Sequence, residues 1–600
     1  MLPRTALIAV LATLVAGEHQ QHCRILPSDP SWPAAEVWKA FNQSIDGRLI
    51  KTIPIGSPCH DPTYNEAECK YVRDHWHIPS FQFVAPLSRK ACTMLTSRLI
   101  SSEPHPSSVM DYTFLDKGCD PFDPREKPCR IGGYVQYAVN ISRPEHVIKT
   151  VNFVKEHNIR FVVKNTGHDY LGRSTAIGAV SVWMHNLQGI NFLPQYESSE
   201  YSGPAFKVHA GAIGYDLAVA ADKKGFVTVS GECPTVGFSG GYLQGGGHST
   251  LTSMYGLAAD HTLEFEVITT QGEFVRASPT SHQDLYWALS GGGGGTYGVV
   301  WSVTIKPQQD LPVTIGSIEF TSEGVDPDTW WKAIDAYQAS TPALTDAKVF
   351  GIAVYDNTFF KLNPVFAVNK SASEVSTLLQ PLLATLDGLK IKYKTAVNTY
   401  DGYLEAYNTL TFLIDFKIAD YIFGSRLLPR QIAEGGGLIH EFIQRAIGPG
   451  KPDNAVLPAW REAERHLNVL LPLKDGDSLE TVARGRKRIS NDFIPALKQL
   501  APGSGAYINE VRHMTVNTGI LTDWRDSQAD PYEPDFKEAF YGPNYGRLLE
   551  IKDKWDPEHI LYGSVAVGGD RWKQTEEGRL CRAEIPARLV DQTSYHGNDL

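Results

Sequence analysis

The sequence contains no long run of lysine or arginine, and its 67 acidic residues outnumber the 56 basic ones, which leaves a net charge of −11. Proteins that bind nucleic acids concentrate positive charge on one surface, so we expect no nucleic-acid partner. Internal repeats and extended low-complexity segments are also absent. With 42% hydrophobic and 20% charged residues over 600 positions, the composition is typical of a globular protein with two or more domains.

Long apolar segments are scarce, and no stretch after the N-terminus approaches transmembrane length. Arg4 precedes an apolar run at residues 6–17, which ends in small residues. The run is shorter than the ~20 residues that span a bilayer, so it predicts a secretory signal peptide over residues 1–17, an extracellular protein and no membrane partner. A buried N-terminal helix is the alternative. Glycosylation sequons at Asn42, Asn140 and Asn369 agree with secretion.

None of the eight cysteines belongs to a Cys-x-x-Cys pair, so we expect no metal site. Six of them lie before residue 130, and in an oxidising compartment such a cluster predicts disulfides. Cys59 with Cys69, and Cys119 with Cys129, each enclose a short loop, which favours local pairing. The full connectivity does not follow from the sequence. The six are Cys23, Cys59, Cys69, Cys92, Cys119 and Cys129.

Near residue 131 the pattern changes to a strand, a helix and a second strand. Residues 134–139 alternate like a strand, Pro144 stands in the first turn of an apolar-striped helix, and residues 159–164 form the next strand. The second strand leads into a loop that carries His168. We therefore predict an α/β unit with functional groups at a strand end. Further strands are predicted at 179–184, 205–210, 262–268 and 349–355, and helices at 215–222 and 373–386.

Residues 237–247 contain six glycines in eleven positions. Such a segment cannot fill a core, but its backbone N–H groups can approach a large, flat or anionic ligand closely. A dinucleotide-binding Rossmann loop would show Gly-x-Gly-x-x-Gly opening a helix. Here the glycines are denser and Pro234 precedes them, so we exclude that fold. We interpret the segment as a cofactor cradle (residues 237–247), with His168 and Cys233 directed at the cofactor.

Several motifs carry a family resemblance. Residues 166–174 (Thr-Gly-His-Asp-Tyr-Leu-Gly-Arg-Ser) resemble the segment through which berberine-bridge-enzyme-like members of the vanillyl-alcohol-oxidase flavoproteins attach FAD to histidine. Residues 232–237 (Glu-Cys-Pro-Thr-Val-Gly) resemble the segment that adds a cysteine link. The resemblance covers roughly residues 128–310 and 505–582. Further motifs that look like this family, in the same order, stand at residues 255–260, 290–300, 540–552 and 555–557.

The resemblance implies an α+β protein with the two-domain p-cresol-methylhydroxylase-type fold. In that fold the FAD domain is discontinuous, and the substrate domain is an α+β unit with an antiparallel sheet. The expected order is a signal peptide (1–17), a cysteine-rich lobe (18–127), the FAD domain (128–311), the substrate domain (312–505), a berberine-bridge-like segment that completes the FAD domain (506–585) and a tail (586–600).

The resemblance also implies FAD as the cofactor, with His168 bonded to its 8α-methyl carbon and Cys233 bonded to flavin C6. If Cys233 is used in this way, seven cysteines remain and at least one more is unpaired, for which we predict Cys581. The other cofactor-binding residues that we predict are Lys164, Asn165, Thr166, Gly167, Asp169, Ser174, Val236, Gly237, Gly240, Gly241, Gly245, Gly246, Gly247, Ser249, Tyr255, Gly256, Asp260, Val267, Asn544 and Tyr545.

The catalytic residues are predicted from residues 507–510 (Tyr-Ile-Asn-Glu), which resemble the family's Tyr-x-Asn-Tyr motif. Its first tyrosine can act as the base in members that oxidise sugars and alcohols, and Glu510 here replaces the second. We expect either a Tyr507 of lowered pKa or a Glu510 of raised pKa to take a hydroxyl proton, unless Tyr507 only packs on the cofactor. Relatives also show a histidine before the triple glycine, and Tyr242 or His248 is expected to replace it beside the flavin N1–C2 edge.

We therefore expect a secreted, monomeric FAD-dependent oxidase. It would abstract a hydride from a C–H bond next to oxygen or nitrogen and pass the electrons to O2, giving hydrogen peroxide. Members with two flavin links resemble enzymes for bulky substrates, so a carbohydrate, including an oligosaccharide, or an aromatic secondary metabolite is the expected small-molecule partner. The alternatives are a dehydrogenase of the same fold that reacts poorly with O2, and a secreted protein that retains flavin without turnover.

Overall fold

The structure is a computed structural model, and it describes residues 23–78, 81, 105–106, 108–109, 115–410, 421–430, 438–446, 453–474, 477–510, 535–575 and 577–583. The predicted signal peptide, the predicted tail and Cys92 lie outside these residues. Within the described part of the chain, no helix is both long enough and apolar enough to cross a membrane.

Twenty strands are distributed over five sheets in the described residues. In chain order they are β1 (Leu49–Lys51), β2 (Tyr137–Asn140), β3 (Phe161–Lys164), β4 (Val180–Trp183), β5 (Ile190–Glu197), β6 (Ser202–His209), β7 (Phe226–Val227), β8 (Thr262–Ile268), β9 (Phe274–Ala277), β10 (Val299–Ile305), β11 (Gln308–Gln309), β12 (Val313–Thr321), β13 (Phe350–Tyr355), β14 (Phe359–Val368), β15 (Tyr393–Tyr400), β16 (Tyr421–Pro429), β17 (Leu438–Ile443), β18 (Ala463–Pro472), β19 (Trp572–Gln574) and β20 (Leu580–Arg582).

The same residues form fourteen α-helices and several shorter helical turns. The α-helices are α1 (Ala35–Ser44), α2 (Glu66–His75), α3 (Pro144–Glu156), α4 (Gly214–Asp222), α5 (Thr252–Tyr255), α6 (Gln283–Leu289), α7 (Pro327–Asp346), α8 (Ala372–Gly388), α9 (Tyr403–Tyr407), α10 (Ala459–Glu462), α11 (Leu479–Arg488), α12 (Ile494–Leu500), α13 (Phe536–Tyr541) and α14 (Tyr545–Trp555). The shorter turns are Ser57–Cys59, Phe238–Tyr242, Ala258–His261, Ile489–Phe493, Gly542–Asn544 and Gly569–Arg571.

The first sheet has the strand order β1-β2-β4-β3, in which β2, β4 and β3 run parallel. Helix α3 connects β2 to β3, and Pro144 occupies its first position. An N–H at this position would have no acceptor within the helix, so proline, which lacks the N–H, is tolerated there. The helix buries Val147, Val151 and Val154 along one face against this sheet. The predicted strand–helix–strand unit is confirmed, and β3 ends directly before the loop that carries His168.

The second sheet is antiparallel, with the order β5-β6-β10-β8-β9. The predicted strands at 205–210 and 262–268 are found as β6 and β8, and the predicted helix at 215–222 is found as α4. The cofactor cradle is anchored to this sheet, because Ser239 Oγ donates to the carbonyl of Val208 at 3.3 Å and Phe238 is buried in the core. The sheet therefore fixes the beginning of the glycine-rich segment.

The third sheet is antiparallel, with the order β15-β12-β14-β13-β17-β18-β16, and all its strands lie between residues 313 and 472. Helices α7 and α8 pack on it over a core that includes Phe360 and Leu379. A capping box begins α8: the Ser371 hydroxyl accepts from the Glu374 N–H at 3.3 Å, and the Glu374 carboxylate accepts from the Ser371 N–H at 2.8 Å. The antiparallel sheet, the strand predicted at 349–355 and the helix predicted at 373–386 are confirmed.

The C-terminal residues return to the first sheet. Leu561 forms a bridge with Phe161 of β3. Lys552 of α14 is buried, and its Nζ lies 2.5 Å from Asp556 Oδ2 and donates to the carbonyls of Thr296 and Leu561, each at 2.7 Å. Lys552 thus joins α14 to the segment before β10 and to the C-terminal segment that meets β3.

Three disulfides lie within the described residues. Cys59–Cys69 and Cys119–Cys129 confirm the predicted local pairs. The third joins Cys23 to Cys581, so the prediction of an unpaired Cys581 is wrong. The C-terminal return brings β20 beside the N-terminal segment, a proximity that sequence separation conceals. Among the described residues, Cys233 alone is unpaired.

We expect Asp556→Asn to lower the free energy of unfolding by about 3–5 kcal/mol, because it leaves the Lys552 ammonium buried without a counter-ion. The matched control is Asp74→Asn, since Asp74 pairs with Lys70 at the same spacing on an exposed helix face. Asp74→Asn should lower the free energy of unfolding by less than about 1 kcal/mol. Guanidinium unfolding followed by tryptophan fluorescence measures both. Equal losses in the two variants would contradict the role given to the buried pair.

Candidate active site

One cleft is bounded by β3 and its loop, by the cofactor cradle, and by β13, β17 and β18 of the third sheet. Residues 507–510 close one side of it. The structure therefore brings the histidine-bearing and glycine-rich motifs of the first domain to the wall of the third sheet. The predicted site residues that line the cleft are Asn165, Thr166, Gly167, His168, Asp169, Ser174, Cys233, Val236, Gly237, Gly240, Gly241, Tyr507 and Glu510.

The loop after β3 is shaped by its own hydrogen bonds. Gly167 has a φ of 99°, a left-handed conformation that glycine adopts without strain. The Asp169 carboxylate accepts from the N–H of Leu171 at 2.9 Å and from the N–H of Ser174 at 2.6 Å. These contacts hold the turn in which His168 faces the cleft.

His168 and Cys233 have a common neighbour. His168 Nε2 lies 2.7 Å from Thr235 Oγ1, and Cys233 Sγ lies 3.7 Å from the same oxygen. The nitrogen and the sulfur are therefore separated by no more than the sum of these two distances. The 8α-methyl carbon is attached to the flavin ring that contains C6, so both side chains lie close enough to reach one such ring.

The two side chains differ in protonation. Burial, with a smaller contribution from the charge of Lys164, lowers the pKa of His168 to about 3, so its ring is neutral at physiological pH. Burial raises the pKa of the Cys233 thiol, which keeps the sulfur protonated there. Burial also lowers the pKa of Lys164 to about 7, and its Nζ donates to the carbonyl of His105 at 2.8 Å. His168 is thus the readier nucleophile of the two.

The cradle requires glycine because other groups approach its backbone closely. A Cβ on Gly237 would lie 2.6 Å from Asn165 Nδ2, and a Cβ on Gly294 would lie 2.8 Å from Cα of Gly241. Asn509 Nδ2 donates to the carbonyl of Gly241 at 2.7 Å. These close contacts hold the segment in place, and Gly237, Gly240 and Gly241 line the cleft without side chains.

Tyr507 and Glu510 both face the cleft, but their hydrogen-bond partners differ. The hydroxyl of Tyr507 accepts from Asn509 Nδ2 at 2.8 Å. Burial, and secondly the charge of Glu510, raise the pKa of Tyr507 well above its ordinary range, which contradicts the alternative in which Tyr507 has a lowered pKa. Glu510 contacts two histidines: its Oε1 lies 2.7 Å from His248 Nε2 and its Oε2 lies 3.5 Å from His466 Nδ1. A quarter of the Glu510 side chain is exposed.

Of the two replacements predicted for the histidine before the triple glycine, Tyr242 lines the cleft. The Tyr242 hydroxyl lies 2.9 Å from the carbonyl of Val229 and 3.0 Å from the carbonyl of His248, so its hydrogen is donated to the backbone. The His248 side chain turns instead toward Glu510.

Several predicted cofactor residues lie outside the cleft wall and support it. The Asp260 carboxylate accepts two bonds of 2.7 Å from the Arg461 guanidinium, which joins the first domain to a segment beside the third sheet. Asn544 Nδ2 donates to the carbonyls of Ala455 and Val456, each at 3.2 Å. The predicted residues in this group are Lys164, Gly245, Gly246, Gly247, Ser249, Tyr255, Gly256, Asp260, Val267, Asn544 and Tyr545.

A second set of cleft residues was not predicted from the sequence. Arg173 and Glu232 lie inside the family motifs, yet nothing in the sequence separates them from their neighbours. Phe442 and Asn468 come from β17 and β18, which contain no such motif. The register of these two strands, which pairs Phe442 with His466, is the signal that would have located them.

Comparison with known proteins agrees with the motifs. A family model described as an FAD binding domain matches residues 135–278, and one described as berberine and berberine like matches residues 506–564. The FAD-linked oxidoreductase patO of Aspergillus clavatus is 38% identical over 580 residues, which are 94% of this chain and 95% of that protein. The chain belongs to the berberine-bridge-enzyme-like branch of the vanillyl-alcohol-oxidase flavoproteins. Such a flavoprotein is an FAD-linked oxidoreductase.

Solved structures confirm the predicted fold of this flavoprotein. The VAO-type flavoprotein oxidase VAO615 of Thermothelomyces thermophilus is 33% identical over 593 residues, 94% of this chain and 96% of that protein. The crystal structure of MtVAO615 from Myceliophthora thermophila C1 matches with a TM-score of 0.82 and 32% identity, covering 94% of this chain and 100% of that one. The glucooligosaccharide oxidase of Acremonium strictum shares the fold alone, with a TM-score of 0.57, 17% identity and coverage of 73% and 92%.

The cleft of this flavoprotein fits a flavin. Asn165 Oδ1, Arg173 Nη1 and Gln244 Oε1 are buried atoms without a hydrogen-bond partner among the described residues, and all three residues line the cleft. Buried polar atoms are nearly always paired, so these are placed to meet polar atoms of a ligand. FAD, when bound, supplies the two-electron redox chemistry, and the chain binds and orients it.

Proposed function

We propose that this flavoprotein is a secreted oxidase whose FAD is linked to both His168 and Cys233. The observation that carries the proposal is the contact of both side chains with Thr235 Oγ1 at the wall of the cleft. The glucooligosaccharide oxidase of the same fold is described with a 6-S-cysteinyl, 8α-N1-histidyl FAD, which supports the same two links here. The relative VAO615 is named an oxidase, which supports O2 as the electron acceptor and hydrogen peroxide as the product.

The substrate loses a hydride from a C–H bond next to oxygen or nitrogen and a proton from the neighbouring heteroatom. Glu510 receives the proton, because its carboxylate is a quarter exposed in the cleft whereas Tyr507 is buried and neutral. Ile352, Phe442 and Leu470 give the cleft an apolar wall on the side of the third sheet. This wall supports an aromatic secondary metabolite as the substrate class, and a carbohydrate is the second candidate.

Secretion is supported by the disulfides. Three of them lie within the described residues, and Cys23–Cys581 joins segments separated by 558 positions. Such bonds persist in oxidising compartments. N-terminal sequencing of protein recovered from the culture medium tests the proposal, and a start close to residue 18 is the expected result.

Oxygen reactivity distinguishes the proposed oxidase from the two alternatives. After anaerobic photoreduction of the flavin, we expect air to restore the oxidised spectrum within seconds and to produce one equivalent of hydrogen peroxide. A dehydrogenase would reoxidise slowly in air but quickly with an artificial acceptor. Sulfite provides the control for a protein that only retains flavin, because an inert flavin would not form the adduct. Slow reoxidation without peroxide would overturn the proposal.

A further inference from the structure

We propose that Glu232 and His248 are positioning residues that hold Glu510 as the proton acceptor of the cleft, an inference that rests on the proposed function. The two ring nitrogens of His248 face two different carboxylates. Nε2 lies 2.7 Å from Glu510 Oε1, and Nδ1 lies 3.8 Å from Glu232 Oε1. Glu232 directly precedes Cys233, so the proposed flavin-linking turn and the proton acceptor are connected through one imidazole.

The ring of His248 is held in this orientation by aromatic neighbours. Its centroid lies 4.7 Å from that of Phe442 and 5.2 Å from that of Tyr507, both edge to face, and 5.7 Å from that of Trp460, which is nearly parallel. Only 2% of the His248 side chain is exposed. These contacts pack the imidazole on three sides while its Nε2 points at the carboxylate of Glu510.

The charges support the same assignment. Burial acts against the imidazolium, but the carboxylates of Glu510 and Glu232 raise the pKa of His248 to about 9. Burial raises the pKa of Glu232 to about 7, against the opposing charge of His248. A charged His248 carries a proton on both ring nitrogens, so Nε2–H donates to the Glu510 carboxylate at 2.7 Å.

Other polar groups face this cluster from the surrounding elements. Gln444 Nε2 lies 3.4 Å from His248 Nδ1, and His466 contacts the second oxygen of Glu510 at 3.5 Å. Near Glu232, the hydroxyl of Tyr407 donates to its backbone carbonyl at 2.6 Å, and Tyr242 and Tyr403 also lie within electrostatic reach. Burial raises the pKa of all three tyrosines, so they stay neutral where His248 titrates.

In the proposed step, the O–H bond of the substrate breaks and an O–H bond forms on Glu510. The electron pair of the broken bond stays on the substrate oxygen. The positive charge of His248 then faces a neutral carboxyl on one side and Glu232 on the other. Above its own pKa of about 7, Glu232 keeps a counter-charge beside the imidazolium after the transfer. This is the contribution that we assign to the second carboxylate.

Histidine C2-hydrogen exchange followed by mass spectrometry, on the full-length flavoprotein over a pH series, measures the pKa of His248 directly. We expect a value above 8 in the parent protein. Glu232→Gln and Glu510→Gln each remove a charge that raises it, so each should move the transition to lower pH by about one pH unit or more. The control Glu273→Gln changes an exposed carboxylate on a loop of the second sheet and should leave the transition in place.

A His248 transition near its ordinary value in the parent, or one that Glu232→Gln does not move, would overturn the proposal. If Glu232→Gln does not fold, Glu510→Gln tests whether a carboxylate beside His248 raises the pKa of that histidine. Ligand atoms of His248, His466 and Glu510 lie within 4.8 Å of one another, so one zinc ion per chain that survives dialysis against a chelator and is lost in His466→Ala would also overturn it. Colourless acid-precipitated protein with the expected His248 titration would refute the flavin links alone.

Discussion

The acid-precipitated protein should stay yellow, and the double variant His168→Ala/Cys233→Ala should release all its flavin into the supernatant. In the parent, the intact mass of the denatured chain should exceed that of the polypeptide by one FAD. The reason is geometric, because His168 Nε2 and Cys233 Sγ both lie close to Thr235 Oγ1 at the wall of one cleft. A parent mass without added flavin would refute both links.

The single variants should differ from each other. His168 is neutral and ready to form its bond, whereas the Cys233 thiol has a raised pKa and must first lose its proton. Cys233→Ala should therefore remain fully linked, and His168→Ala should carry only a fraction of linked flavin, which increases with the pH of incubation. His75→Ala, on a helix far along the chain from both links, should behave like the parent. Equal, complete linkage in both single variants would contradict the difference in protonation.

The first half of the fold was predictable because its signals are local. The strand–helix–strand unit depends on apolar periodicity within about thirty residues and on Pro144 at a helix start. The pairs Cys59–Cys69 and Cys119–Cys129 close short loops and were expected for the same reason. Cys23–Cys581 was missed because it depends on the return of the C-terminal segment to the first sheet, which no local pattern encodes.

The candidate site divides in the same way. The half formed by residues 165–174 and by the cofactor cradle lies in contiguous motifs and was largely predicted. The other half depends on strand pairing, because the register of β17 and β18 places Phe442 beside His466. The contact of His248 with Glu510 joins residues 262 positions apart. The raised pKa of Tyr507 follows from burial, which a motif does not contain, so the sequence left a lowered pKa open as one of its alternatives.

A large loss of stability is also expected at the glycine run of residues 290–295, in the variant Gly291→Ala. Gly291 has a φ of 121°, which strains any residue with a Cβ, and that Cβ would lie 2.3 Å from the backbone N of Val456. The obstacle is backbone, held in place by Asn544 and by the hydrogen bond from the Ala455 N–H to the Ser290 carbonyl. Backbone strain and overpacking together should lower the free energy of unfolding by about 3 kcal/mol or more.

The substitution should also disturb the cleft, because the segment that contains Val456 also carries Asn454 and Arg461. Both of these side chains donate hydrogen bonds to the Asp260 carboxylate. We expect a fall in the apparent melting temperature together with incomplete flavin loading. Gly546→Ala is the matched control: Gly546 lies in α14 and a Cβ there would meet nothing within 4 Å, so alanine should be neutral or stabilise by up to about 1 kcal/mol. Equal melting temperatures for the two variants would contradict the strain and the clash predicted for a Cβ at Gly291.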